Sequence, residues 1–257
     1  MAVSHAIALD GVSKRYTTSG RSSTLALQNV SLKAAEGEFV ALVGPSGCGK
    51  STLLKLVAGL TMPSKGTIEV FGSKITAPIK SAGIVFQSPV LMKWRTVYEN
   101  VALPLEVLGI KKNQGPDPVL ALLELAGIQD FANSYPNELS GGMQQRVSIC
   151  RSLVHNPRLL LLDEPFGALD AMTRSRMNVD LAKILARMKK TTILITHSVS
   201  EAVFLADRVV VLSARPGKIQ EIVDVPIKRP RTVDIRSTRE FGELVQKIGS
   251  YIGFEFM

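Results

Sequence analysis

Residues 44–51, Gly-Pro-Ser-Gly-Cys-Gly-Lys-Ser, match the spacing G-x-x-x-x-G-K-[ST] without a mismatch. The residues just before them, 38–43 (EFVALV), read as a buried strand, and residues 50–60 (KSTLLKLVAGL) read as a helix. A glycine-rich turn between a strand and a helix is suited to holding phosphate. Its glycines let the backbone wrap closely and aim N–H groups inward, and the helix N-terminus adds a partial positive charge. Lys50 reaches β- and γ-phosphates, and the Ser51 hydroxyl is a ligand for Mg²⁺. Gly44, Pro45, Ser46, Gly47, Cys48, Gly49, Lys50, Ser51 and Thr52 are therefore expected to form a triphosphate cradle.

A second chemical signal is the run Leu159–Leu162 followed by Asp163 and Glu164. Four leucines fit a strand buried on both faces, so the acids emerge at its C-terminal edge, where open α/β sheets bind ligands. An acid there holds Mg²⁺ through water, and the other polarises an attacking water as general base. The competing reading is a helix-capping acid pair at a strand end. A third signal is Leu139-Ser140-Gly141-Gly142-Met143-Gln144-Gln145-Arg146. Ser140 is a good N-cap, and the two glycines bare the first N–H groups of a helix. That makes a second phosphate-binding surface in a chain with one phosphate loop.

This third segment resembles the LSGGQ signature of the ATP-binding-cassette (ABC) ATPases, with Met143 where glutamine is commonest. Other motifs fall in that family's order. Gln87 after the strand GIVF is similar to the Q-loop glutamine that touches Mg²⁺ and the lytic water. Asp170 in Ala168-Leu169-Asp170 resembles the D-loop, and His197 after TTILIT resembles the switch histidine that contacts the γ-phosphate. Tyr16 stands where the family places an aromatic on adenine; its alternative is a plain surface aromatic. The resemblance runs over roughly residues 5–215 and assigns the metal role to Asp163, with Ser51 and Gln87, and the base role to Glu164.

The resemblance implies an α/β fold: a phosphate-loop NTPase core of mostly parallel sheet flanked by helices, an N-terminal antiparallel β subdomain and an inserted helical subdomain. It implies ATP and Mg²⁺ as ligands and a second copy of the chain bound head to tail. It also implies transmembrane permease subunits and a separate solute-binding protein as partners, at the cytoplasmic face of the plasma (inner) membrane. Lys93–Val97, Asn100–Glu106 and Pro165–Arg174 are most similar to importer ATPases of the nitrate, sulfonate and taurine group. Thr196-His197-Ser198 departs from the more usual His-Asp, and the serine also occurs in importers of pyrimidine thiamine precursors.

The elements that must position these groups are legible in part. Strand signals recur at 66–71, 83–86, 159–162, 192–196 and 208–212, with helical patterns at 141–155 and 172–188. Alternation of strands and helices predicts a mostly parallel sheet covered on both faces. Residues from about 88 to 140 have helix-like periodicity (97–108, 118–127) and no convincing strand, so an inserted helical subdomain is expected over about 88–155 of a single domain spanning 1–257. Trp94, the only tryptophan, either lines a groove for a membrane partner or anchors that subdomain's core. Residues 216–257 read as a short strand, a basic loop and a terminal helix without a legible role.

Composition narrows the function further. No stretch of about 18 apolar residues occurs, and no basic segment followed by a long apolar run opens the chain, so neither membrane crossing nor secretion is expected. Two cysteines make no disulfide framework, which fits a reducing compartment. The net charge of +9 raises the alternative of a soluble ABC-type ATPase acting on nucleic acid. The basic residues are scattered, and the cluster Lys228-Arg229-Pro230-Arg231 lacks interleaved aromatics, so no nucleic-acid partner is expected.

Overall fold

The computed structural model describes residues 5–18, 21–110 and 115–253. The first and last four residues, including 254–257 of the C-terminal extension, lie outside the described residues. The chain divides into two compact units, 1–79 with 189–257, and 80–188.

The first unit opens with two long strands, β1 (His5–Thr18) and β2 (Arg21–Ala35), paired antiparallel. Then come β3 (Phe39–Val43), α1 (Lys50–Val57), β4 (Lys65–Val70) and β5 (Ser73–Lys74). One sheet is antiparallel, in the order β2-β1-β4-β5. Apart from the antiparallel subdomain that the family resemblance implied, nothing in the residue pattern announced β1 and β2. The reason is visible in their register, which shifts between Leu9 and Val12, between Val12 and Lys14 and at further points. Each shift inverts the alternation of buried and exposed side chains, so period-two patterning fails.

The second unit holds β6 (Gly83–Val85), α2 (Val97–Val107), α3 (Pro118–Leu125), α4 (Gly141–Leu153), β7 (Leu159–Asp163) and α5 (Ala171–Met188). β6 and β7 pair in parallel. Each helix starts where its sequence supplies a cap. Thr96 and Glu99 form a reciprocal capping box on α2, Asp117 caps α3 ahead of Pro118, and Ser140 caps α4. Arg146 binds α4 to its neighbours, donating to the Ala126 carbonyl (2.8 Å) and to Asp180 (2.6 Å). Trp94 is 74 % exposed, so the core-anchor reading fails.

The chain returns to the first unit through β8 (Thr191–Ile195), α6 (Val199–Leu205), β9 (Arg208–Leu212), β10 (Ile219–Asp224) and α7 (Arg239–Ile252). β3 lies in parallel between β8 and β9, and β10 adds antiparallel to β9. β3 and β8 are buried along their whole length, which accounts for the apolar runs Phe39–Val43 and Ile193–Ile195.

The C-terminal extension proves to be an integral cover for this unit. α7 packs on α6, β9 and β10, with Phe241 and Ile248 buried. Of the basic cluster 228–231, Arg231 is turned inward, while Lys228 and Arg229 stay exposed. Arg229 pairs with Asp207 (2.9 Å), which itself accepts from the Phe39 amide. Arg231 is buried; its Nη1 donates to the carbonyls of Val203, Phe204 and Ala206 at the C-terminal end of α6, and its Nη2 to Ile227 (2.9 Å). Burial, with Arg229 nearby, lowers its pKa to about 10, so it is still charged at neutral pH. Arg231→Ala strands those helix-end carbonyls and is expected to cost about 3 kcal/mol, a Tm loss of roughly 6–12 °C by calorimetry. A change under about 1 °C would contradict this anchoring role.

Candidate phosphate-binding and hydrolytic site

In the first unit the phosphate loop follows β3 directly. Gly49, which precedes α1, has φ +105, and a β-carbon there would stand 2.7 Å from Leu27 Cδ2 and 2.9 Å from the Ala26 carbonyl. Conformation and space both demand glycine at this turn. Lys50 is buried, and its ammonium donates to the carbonyls of Gly44 (2.7 Å) and Pro45 (3.0 Å) inside the loop. Cys48 Sγ lies 3.9 Å from that ammonium. Ser46, Gly47 and Ser51 are exposed, and Thr52 is half-buried.

Leu42 of β3 faces Ile195 of β8 in the parallel register. Gly44 and His197 each stand two residues beyond that pair, so the phosphate loop and His197 leave the sheet at the same edge. Thr196 is buried and hydrogen-bonds Glu201, while its hydroxyl accepts from the Ser198 amide (3.0 Å). Ser198 caps α6 by accepting from the Glu201 amide (3.3 Å). The serine thus fills the helix-capping position, and His197 is presented, exposed, from a turn tied on both sides. Tyr16 on β1 is 41 % exposed, with the Lys14 ammonium 5.1 Å from its ring centre.

The second unit repeats the same arrangement. Val85 of β6 faces Leu162 of β7, and Gln87 and Glu164 each stand two residues further on. Their side chains both approach Gly167: a β-carbon there would lie 3.6 Å from Gln87 Nε2 and 3.6 Å from Glu164 Oε2. Glu164 has φ +46, in the left-handed region, and the turn is closed by the Gly167 amide donating to the Glu164 carbonyl (3.1 Å). Asp163 and Glu164 are both half-buried.

In the same unit Ser140 is exposed and its hydroxyl accepts from the Met143 amide (3.3 Å). Leu139 is buried beneath the turn, and Gly141 and Gly142 open α4. Gln144 donates to the Pro136 carbonyl (2.9 Å). Met143 takes part in this cap through its backbone, so its departure from glutamine leaves the cap intact. Asp170 is exposed and accepts from the amides of Met172 (3.1 Å) and Thr173 (3.0 Å) at the start of α5. The Thr173 side chain, then its amide, hold the Asp170 carboxyl below its ordinary range.

The ABC transporter family model matches residues 27–167, which span the phosphate loop, the glutamine, the Ser140 turn and the acid pair. The chain belongs to the ABC transporter family. As an ABC chain of the nitrate and sulfonate group it is an ATP-binding subunit and an ATPase. The aliphatic sulfonates import ATP-binding protein SsuB of Bacillus cereus is 42 % identical over 94 % of this chain and 94 % of that protein. The nitrate import ATP-binding protein NrtD of Synechocystis is 44 % identical over 90 % of each. Among solved structures, the dimeric post-hydrolysis state of the ATP-binding cassette MJ0796 bound to ADP and Pi matches with a TM-score of 0.74 at 33 % identity, covering 86 % of this chain and all of that one. Among the described residues, no helix of this ABC subunit is long and apolar enough to cross a membrane.

Both cysteines of the ABC chain are free and buried. Burial pushes the Cys150 thiol up to about 12, which keeps it protonated and unreactive at neutral pH. Sequence reasoning missed the parts that hold these groups in place. Glu201, Ser198 and Arg215 act on backbone or on near neighbours within the turns, and only the Ser-x-x-Glu spacing of Ser198 and Glu201 carried a local signal.

Proposed function

We propose that the chain binds ATP between Gly44–Thr52 of one copy and Leu139–Gln144 of a second copy, head to tail, and couples its hydrolysis to solute import. The observation that carries this reading is the pairing of chemistry at two strand edges: the phosphate loop with His197, and Gln87 with Glu164 beside Gly167. Glu164 acts as base on the attacking water, and His197 and Gln87 orient the γ-phosphate and that water. Tyr16 offers a ring for adenine, and Asp170 lies at the junction between copies.

The donor set fits Mg²⁺: a hydroxyl on Ser51, a carboxylate on Asp163 and an amide oxygen on Gln87 are hard oxygen ligands. These residues would hold the ion, which when bound offsets charge on the phosphates. N–H groups from the loop and from the Ser140 helix end then face the triphosphate from two sides, a preorganised field for in-line attack.

Similarity to SsuB and NrtD supports a nitrate- or sulfonate-type anion as the solute, delivered by a separate binding protein to permease subunits. The chain then sits on the cytoplasmic face of the inner membrane. Exposed Trp94 (74 %) and Val90 (62 %) on the second unit suit a surface that receives a permease segment. Co-expression with membrane subunits from the same operon tests the assignment. The chain is expected to co-purify in detergent, with ATPase activity that rises when binding protein loaded with alkanesulfonate or nitrate is added. Retention on DNA at physiological salt with no membrane partner would overturn it.

A further inference from the structure

The turn between β9 and β10, residues 213–218, belongs to none of the motifs above, yet it is built against the phosphate loop. The Gly217 amide donates to the Ala26 carbonyl (3.0 Å), and its own carbonyl accepts from the Gln28 amide (3.0 Å). A β-carbon at Gly217 would stand 2.0 Å from the Cys48 carbonyl oxygen, so turn and loop meet with no room for a side chain. From this anchored turn Arg215 extends over Gly47. Its Nε donates to the Gly47 carbonyl (3.2 Å), and its Nη2 lies 3.3 Å from where a β-carbon on Gly47 would stand.

A peptide is planar and trans, so holding the Gly47 carbonyl outward turns the Cys48 N–H the opposite way. That N–H points into the loop and donates to the Pro45 carbonyl (3.3 Å), the same oxygen that Lys50 reaches. We propose that Arg215 is a positioning residue for the nucleotide: its grip on the Gly47 carbonyl keeps the loop amides aimed at the phosphates, and its guanidinium adds a second positive charge beside Lys50. This rests on reading Gly44–Thr52 as the triphosphate cradle. The loop cradles phosphates that ATP and ADP share, so Arg215 acts equally on both nucleotides.

The test compares Arg215→Ala, Arg215→Lys and Lys50→Ala in the full chain with Mg²⁺-ATP and Mg²⁺-ADP. Arg215→Ala is expected to raise the ATP KM and the Kd of both nucleotides by the same factor, roughly 3- to 10-fold, with kcat at saturation within about twofold. Arg215→Lys restores most of the affinity, because an ammonium donates to the same carbonyl. Arg215 is exposed, so the Tm without nucleotide stays within about 1 °C while the ATP-induced rise shrinks. Unchanged affinity, a loss confined to ATP, or a fall in kcat with affinity intact would each overturn the proposal. Lys50→Ala separates the two levels: if it too binds normally, the cradle reading fails, and if it alone loses binding, only the role of Arg215 is lost.

Discussion

Replacing Glu164 by Gln is expected to lower ATP hydrolysis by roughly 10²- to 10⁴-fold while leaving ATP affinity within about twofold. The substitution keeps the size and shape of the side chain and removes its capacity to accept a proton. Glu164 directly follows a strand whose four leucines are buried, and its backbone sits at φ +46, a conformation uncommon for a non-glycine residue that costs about 1–2 kcal/mol. The fold holds that geometry through the turn closed by Gly167, and it brings the carboxylate and Gln87 to the same glycine. A residue kept in such a place only to cap a helix would tolerate the amide without loss of turnover. With hydrolysis blocked, bound ATP persists, and the variant is expected to elute as a dimer in ATP and as a monomer in ADP during gel filtration. Turnover at the unsubstituted rate would remove Glu164 from the base role.

Lys50→Ala is expected to act one step earlier, at binding. The Lys50 ammonium is buried within the loop and already bonded to two of its carbonyls, so it is preorganised against a phosphate and needs little further ordering. Charge-assisted hydrogen bonds of this kind are worth about 1.5–3 kcal/mol. ATP affinity should fall by roughly 10- to 100-fold, and hydrolysis should drop below detection at millimolar ATP. Fluorescent-nucleotide titration checks the first and phosphate release the second. Normal kinetics would displace the phosphate from this loop. The two variants thus separate: one binds and does not turn over, and the other does not bind.

Much of this was legible because the chemistry is local. A phosphate loop needs its glycines, lysine and serine within eight residues, and an acid pair at a strand end announces itself through four leucines. The strand edges were also foreseeable, since β3, Leu159–Leu162 of β7 and Ile193–Ile195 of β8 are buried and read as apolar runs. The convergence of Glu164 and Gln87 on Gly167 was not legible, because it depends on the parallel register of β6 with β7.

What stayed hidden has a common physical origin: side chains whose partners are backbone carbonyls brought close by topology. Arg231 looked like one of three charges in a basic loop, yet it closes the end of α6, the helix that starts just after His197. Arg215 looked like a turn residue beside a proline, and its partner is 168 positions away. Carbonyls carry no sequence signature, so no pattern of residue types reveals such contacts. Ser198 is the converse case, a departure from the commoner acid that the structure explains as an N-cap of equal geometry.

The central claim is that each ATP is gripped by the loop of one copy and the Ser140 turn of the other, and a mixing experiment tests it most directly. In the Glu164→Gln background, a chain carrying Lys50→Ala has a dead loop, and a chain carrying Ser140→Arg has a dead turn. Each alone should fail to dimerise in ATP. If the site is shared between copies, the mixture regains one intact site, so equimolar mixing should yield an ATP-dependent heterodimer retaining one ATP. A mixture as inert as either variant alone would contradict the claim.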